Sequence, residues 1–254
     1  MRTTLAQFLK RWSLAFLQPR PLIGLFYIPR YFRQWWRYRR TSRGENVPFR
    51  DTYPCLTDWT AYTPFDPHYF YQAAWLARKL RANTPARHVD VASSAITIGT
   101  ISAITDTVFI DYRPLHARLS GLQSVGGDVT RLPLRKDTVE SLSCLHVIEH
   151  IGLGRYGDPI DSQGAAKAAR ELERVLQPGG RLYLSVPVGR ERVCFNAHRV
   201  FAPATVCRLF PALELREFTF VDDQGVWQES QGTDAAAECE YACGMFLLEK
   251  QGDG

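Results

Sequence analysis

Between Leu142 and Pro187 the chain passes from an apolar segment, through a loop rich in ionisable groups and a helical pattern, into a second apolar segment. The order is LSCLHVIEHIGLGRYGDP (142–159), AAKAARELERVL (165–176) and QPGGRLYLSVP (177–187). In the middle piece Ala166, Ala169, Leu172 and Leu176 fall on one helical face, with Lys167, Arg170 and Glu173 largely on others. Gln177-Pro178-Gly179-Gly180 then stops the helix, because proline lacks an N–H donor and glycine admits positive φ. Strand, helix, strand is a crossover between parallel strands. It collects His, Glu, Arg, Tyr and Asp at the carboxyl end of the first strand, the edge where open α/β sheets bind ligands.

The same alternation extends in both directions. HVDVA (88–92) reads as a short buried strand, TVFID (107–111) as a second ending in an acid, and GLQSVGGD (121–128) as containing a third followed by an acid. ESLSCLHV (140–147) is the fourth and RLYLSVPV (181–188) the fifth. Two late strands, LELREFTFV (213–221) and YACGMFLLEK (241–250), lack a long intervening helix and are expected to pair as a hairpin at one edge. Alternating strands and helices predict a mainly parallel sheet covered on both faces.

The amino-terminal part differs in character. Residues 1–43 hold ten of the 31 Lys and Arg, no acid, and ten of the 31 aromatic residues. The remainder therefore holds 21 basic and 26 acidic residues and sums to −5, which leaves no fold-wide positive field for nucleic acid. Leu5, Phe8, Leu9, Trp12 and Phe16 recur at helical spacing, and Tyr31, Phe32, Trp35 and Trp36 are interleaved with Arg30, Arg33, Arg37 and Arg40. No apolar run reaches the roughly 20 residues that span a bilayer. Lys10, Arg11 and Arg20 interrupt any signal-peptide core. Such a segment suits the surface of an anionic membrane, where each nearby cation contributes about 1 kcal/mol; the alternative is packing on the core or on a second subunit. We divide the chain into a basic aromatic extension (1–45), a helical lead-in (46–86) and an α/β domain (87–250). Six scattered cysteines without a completing His or Cys pair predict reduced thiols in a cytoplasmic protein, peripheral to the inner membrane face, with no metal site assigned.

HVIEHIGLGRYGDP (146–159), PGGRLYLSVPVG (178–189) and FNAHRVF (195–201) carry a resemblance. Over roughly residues 50–250 the chain resembles the class I S-adenosylmethionine-dependent methyltransferases. Within them it is similar to domain-of-unknown-function family 268. The resemblance implies an α/β, Rossmann-like fold with a mostly parallel seven-stranded sheet, an antiparallel last strand, helices on both faces, and S-adenosylmethionine as cofactor. It implies a cofactor turn at Asp90, Ala92, Ser93 and Ser94, where the first glycine comes only at Gly99 and positive φ would cost more than in a glycine turn. Asp111 would hold ribose hydroxyls and Asp128 the adenine amino group, with Val129 or Leu132 beside the ring and His146 at the methyl end. His146, Glu149, His150, Asp158 and His198 are the candidates for catalysis. Arg155, Tyr156, Asn196 and Arg199 are the candidates for binding a hydroxyl-rich small molecule or glycan acceptor.

Two other readings stay open. His146-Val147-Ile148-Glu149-His150 satisfies the H-x-x-E-H pattern of inverted zinc peptidases, with His198 as a conceivable third ligand. That mechanism needs a helix, whereas here the string leaves a strand and meets Gly152 and Gly154 at once. Alternatively, the altered glycine turn belongs to a non-catalytic scaffold or partner-binding module in envelope polysaccharide assembly.

Overall fold

The computed structural model describes residues 23–229 and 232–252, so the Leu5–Phe16 pattern lies outside the described residues. The chain forms two compact units that divide between Phe65 and Asp66.

In the first unit, helix α1 (Ile28–Thr41) carries Pro29 in its first turn, buries no residue, and ends with Arg39 and Arg40 in its last turn. Its arginines lie over aromatic faces: Arg40 over Trp36 at 3.8 Å and Arg39 over Trp35 at 4.9 Å. Phe32 and Trp36 remain about half exposed. No helix among the described residues is long and apolar enough to cross a membrane.

The second unit opens with α2 (Pro67–Asn83), where Asp66 caps the backbone N–H groups of His68 and Tyr69. This helix belongs to the α/β unit rather than to a separate lead-in. There follow β1 (His88–Val91), α3 (Ala95–Ile101), β2 (Thr107–Asp111), β3 (Leu122–Gly126), β4 (Val139–Leu145), α4 (Gly164–Val175) and β5 (Leu176–Val188). A small ribbon, β6 (Arg192–Cys194) with β7 (His198–Val200), precedes α5 (Pro203–Leu209), β8 (Leu213–Val221), β9 (Trp227–Glu229), α6 (Asp234–Ala237) and β10 (Ala242–Lys250). The main sheet has the order β3-β2-β1-β4-β5-β10-β8-β9. The first five strands run parallel, and β10 is antiparallel to both of its neighbours. The seven expected strands are present, with short β9 added at the edge. The two late strands, β8 and β10, pair antiparallel as expected, and β10 lies on the inner side of that pair, against β5.

Strand alternation explains the two layers. Leu182, Leu184 and Val186 of β5 and Phe246 and Leu248 of β10 join the core beneath α4. Tyr183, Cys243, Met245 and Leu247 point the other way, onto Trp75, Leu76 and Leu80 of α2. Helix α4 buries Ala165, Ala168, Ala169, Leu172 and Val175, and Leu176 after it is buried too, so of the expected stripe only Ala166 stays partly exposed. The helix stops at Val175, and Gln177-Pro178-Gly179-Gly180 forms an irregularity inside β5, where a Cβ on Gly180 would sit 2.7 Å from the Val139 carbonyl oxygen. The cysteines are free thiols; Cys144 and Cys243 are buried as expected, but Cys55 is exposed.

A polar seam crosses the middle of the sheet. His88 lies between Ser141 Oγ (Nδ1, 2.8 Å) and Ser143 Oγ (Nε2, 2.8 Å), and Ser143 Oγ donates to Asp90. Burial lowers the His88 pKa to about 3 and raises that of Asp90 to about 6. The two shifts have opposite consequences. As pH falls below 6.5 the unfolded chain protonates His88 while the folded chain does not, so stability is lost. As pH falls through 6 the folded chain protonates Asp90 first, so stability is gained. At pH 5 the His88 contribution is about 2 kcal/mol and is largely offset. Asp90→Asn is therefore expected to unmask an acid-side loss of about 2 kcal/mol between pH 7.5 and 5. Denaturant titrations at a series of pH values read this directly, and equal slopes for variant and parent would refute it.

Candidate active site at the carboxyl edge of the sheet

A cavity of about 630 Å³ opens at the carboxyl ends of β1, β2 and β4, within the size range of small-molecule sites. Of the residues expected there, Ala92, Ser93, Ser94, Asp111, Asp128, Val129, His146, His150, Tyr156 and Asp158 line it. Asp90, Glu149, Arg155, Asn196, His198 and Arg199 do not.

The turn after β1 is built without glycine. Ala92 takes the left-handed conformation at φ 58°, and its N–H bonds the Ile110 carbonyl at 2.8 Å. That conformation costs about 1–2 kcal/mol for a residue with a Cβ. Asp90, fully buried, holds the turn from below: Ser93 N–H (3.0 Å) and Ser93 Oγ (2.6 Å) both donate to it. Asp90 is thus a scaffold for the turn, because its oxygens face inward to Ser93 and Ser143. Ser93 Oγ also accepts from Leu145 N–H at 2.9 Å, tying the β1 turn to the end of β4. The next residue, His146, is the cavity's second non-glycine in the left-handed region, at φ 55°. Strained backbone at adjacent strand ends is typical of a site whose geometry is fixed by its surroundings.

On the opposite side, Asp111 ends β2 and uses Oδ1 to accept from Arg113 N–H at 2.7 Å. Among the described residues its Oδ2 has no partner. Asp128 accepts from Thr130 N–H and Oγ1, both at 2.8 Å on Oδ1. Val129 lines the cavity while Leu132 is core. Gly127 lets the β3 turn lie against β2: a Cβ there would be 2.6 Å from Ile110 Cγ2.

The loop after β4 is turns, not helix. Its histidines both face Glu149 rather than a common point, with His146 Nδ1 at 3.0 Å and His150 Nε2 at 3.6 Å from Oε1. His150 Nδ1 donates to the Ala197 carbonyl at 2.6 Å, and burial holds its pKa below the usual value, so the ring is neutral with its lone pair on Nε2. Burial works to lower the His146 pKa, but the charges of Cys243 and Glu149 and hydrogen bonds to both prevail and raise it. Asp158 organises the loop: Gly152 N–H (2.6 Å), Gly154 N–H (3.4 Å) and Tyr156 N–H (3.3 Å) take its two oxygens. Arg199 is committed to the same backbone, donating to the carbonyls of Glu149 (3.3 Å) and Ile151 (2.7 Å). Arg155 donates to the Ala197 carbonyl at 3.0 Å. His198 packs at a tilt of 40° against Tyr241, ring centres 4.9 Å apart, and Asn196 is exposed.

Several lining residues escaped sequence reasoning. Tyr69 comes from the first turn of α2, far away in sequence, and no local signal marks it. Tyr112 and Arg113, directly after Asp111, were within reach, since an exposed aromatic beside a strand-end acid suits stacking on a base.

Solved structures share this architecture. A proposed sarcosine dimethylglycine methyltransferase from Galdieria sulphuraria superposes with a TM-score of 0.53 at 12% identity, covering 72% of this chain and 85% of that one. The N-methyltransferase NodS from Bradyrhizobium japonicum WM9, in complex with S-adenosyl-L-homocysteine, gives 0.50 at 15% identity, covering 73% and 88%. A chain from the complex of the Haloferax volcanii Trm112 methyltransferase activator with a proposed methyltransferase gives 0.50 at 14%, covering 74% and 91%. At these identities the likeness establishes the fold alone. No curated protein sequence matches. The model of the family described as "Caenorhabditis protein of unknown function, DUF268" matches residues 114–244, just over half of the chain. This chain belongs to the DUF268 family and carries the Rossmann-like fold of the class I methyltransferases.

Proposed function

We propose that the protein is an S-adenosylmethionine-dependent methyltransferase acting on a hydroxyl of a polar, hydroxyl-rich acceptor such as a glycan or lipid-linked sugar. The observation that carries this reading is the two-sided cavity, with acids from β2 and β3 on one wall and the His146–Asp158 loop on the other. The donor set fits the cofactor: Asp111 Oδ2 is free for ribose hydroxyls, Tyr112 and Val129 offer flanks for a purine, and the glycine-free turn still adopts the conformation needed for close approach. When bound, the cofactor supplies an electrophilic methyl group on a sulfonium.

The chain's own contribution is alignment, which is worth several kcal/mol in an in-line displacement. We assign the acceptor's proton to His150, which lines the cavity. Its tautomer is fixed by Ala197, and a neutral imidazole is the form that can act as base. Tyr156 packs edge-on against His150 at 5.4 Å and limits the ring's rotation. The decisive experiment is calorimetric titration of the full chain with S-adenosylmethionine and S-adenosylhomocysteine. Micromolar binding is expected; none at millimolar ligand would leave a partner-binding module instead.

The exposed aromatics and arginines of α1 support placement on an anionic membrane surface. The full chain is expected to co-sediment with phosphatidylserine-containing liposomes in low salt, and deletion of residues 1–43 to abolish this. Unchanged sedimentation after the deletion would sink the membrane assignment.

A further inference from the structure

At the edge of the cavity, His146 also belongs to a second group of side chains, two of which the methyl-transfer reading does not use. His68 comes from the first turn of α2, His146 from the end of β4, and Cys243 from the start of β10. One ligand atom from each lies within 4.8 Å of the others. His146 Nε2 and Cys243 Sγ are 3.3 Å apart, close to the separation of about 3.5 Å expected for nitrogen and sulfur on one tetrahedral zinc.

Glu149 supplies a second, independent observation. Its side chain is fully buried, Oε1 faces His146, and Oε2 has no hydrogen-bond partner among the described residues. A buried carboxylate oxygen left without a partner is disfavoured, so the pair gains from a further cation nearby. Its Oε1 lies 3.0 Å from His146 Nδ1. With Nδ1 keeping its proton for that carboxylate, a metal ion would displace the Nε2 proton and take the lone pair that faces Cys243 Sγ. This is the carboxylate–histidine–metal arrangement, in which the outer carboxylate fixes the tautomer of the ligating ring. Charge balance agrees. A Cys243 thiolate and the Glu149 carboxylate together carry −2, which one divalent cation neutralises while both histidines stay neutral.

We propose that His68, His146 and Cys243 bind one Zn²⁺ ion, with Glu149 as the outer carboxylate on His146. The mixed nitrogen and sulfur donor set suits zinc over magnesium or calcium, which take oxygen ligands. Three protein ligands leave a fourth tetrahedral position for water or an acceptor atom, the arrangement of catalytic rather than structural zinc sites. Tyr69 stacks on His146 at 5.6 Å and Tyr241 on His68 at 5.2 Å, so aromatic rings cover the site. The site is distinct from the H-x-x-E-H pattern, because His150 turns to the Ala197 carbonyl instead. It is also independent of whether the cavity takes a sulfonium donor.

Elemental analysis of the full chain is expected to find close to one zinc per molecule. Replacement by Co²⁺ should produce thiolate-to-cobalt charge-transfer absorption that is lost in Cys243→Ala and kept in Cys239→Ala. Glu149→Gln should weaken the metal about 10- to 100-fold. His68→Ala, at a partly exposed helix terminus, covers the case in which Cys243→Ala fails to fold, and should weaken Co²⁺ binding at least as much. A metal-free chain that binds no Co²⁺ at millimolar concentration, an unchanged band in Cys243→Ala, or unchanged affinity in His68→Ala overturns the proposal. S-adenosylmethionine calorimetry on the same metal-free chain separates the readings, since cofactor binding without metal binding would reject only the zinc site.

Discussion

Asp111→Ala is expected to weaken S-adenosylmethionine binding by about 100-fold or more. Asp111 sits at the carboxyl end of β2, held in register by β1 on one side and β3 on the other, so its position is set by the sheet rather than by a flexible loop. One oxygen caps the Arg113 amide, and the other is free for a ligand hydroxyl. Each hydrogen bond to a charged acceptor is worth about 1.5–3 kcal/mol, and a ribose offers two hydroxyls, so a loss of about 3 kcal/mol is the lower end. Asp111→Asn keeps the cap through its one oxygen and offers the ribose an NH2 donor in place of the second oxygen, and should lose only about tenfold. The pair of variants separates a lost ligand contact from a disturbed turn. If alanine binds as tightly as the parent, Asp111 does not hold the cofactor and the proposed orientation of the cavity is wrong.

Gly152→Ala is expected to lower stability by about 3 kcal/mol or more, with a drop in melting temperature of roughly 6–12 °C. Gly152 adopts φ +82°, and a Cβ there would fall on the Asp161 carbonyl oxygen. Neither atom can move freely, since Asp161 N–H donates to Gly152 O at 3.0 Å and Gly152 N–H donates to Asp158 at 2.6 Å. Gly157 is the natural comparison. It has φ +87° in the same loop, but nothing lies within 4 Å of its would-be Cβ. Gly157→Ala should lose only the conformational part, about 1–2 kcal/mol. Equal melting temperatures for the two variants would show that crowding at Gly152 plays no part. Because the same loop carries His150 and Tyr156 into the cavity, Gly152→Ala should also weaken whatever the cavity binds.

The elements that sequence reasoning reached share a cause. Residues 107–111, 213–221 and the helix from residue 164 onward are specified by local periodicity, and the acids at 111 and 128 follow their strands directly. Strand β4 ends at Leu145 rather than Val147 because His146 turns into the left-handed region, a change no hydropathy pattern records. Asp90 was legible as part of the turn after the first strand, but its inward orientation was not. That depends on Ser143, which lies 53 residues later on the neighbouring strand.

By itself, the sequence determined an alternating parallel sheet, the edge at which its ionisable groups collect, and which acids end β2 and follow β3. Those features depend on side-chain spacing within about a dozen residues, where the chain's own geometry leaves few choices. Tertiary structure alone decided that β10 lies between β5 and β8, that Glu149 is fully buried, and that Cys243 meets a histidine 97 residues away. Strand order and long-range contacts are chosen by packing both faces of the sheet at once, a global constraint that no local pattern carries.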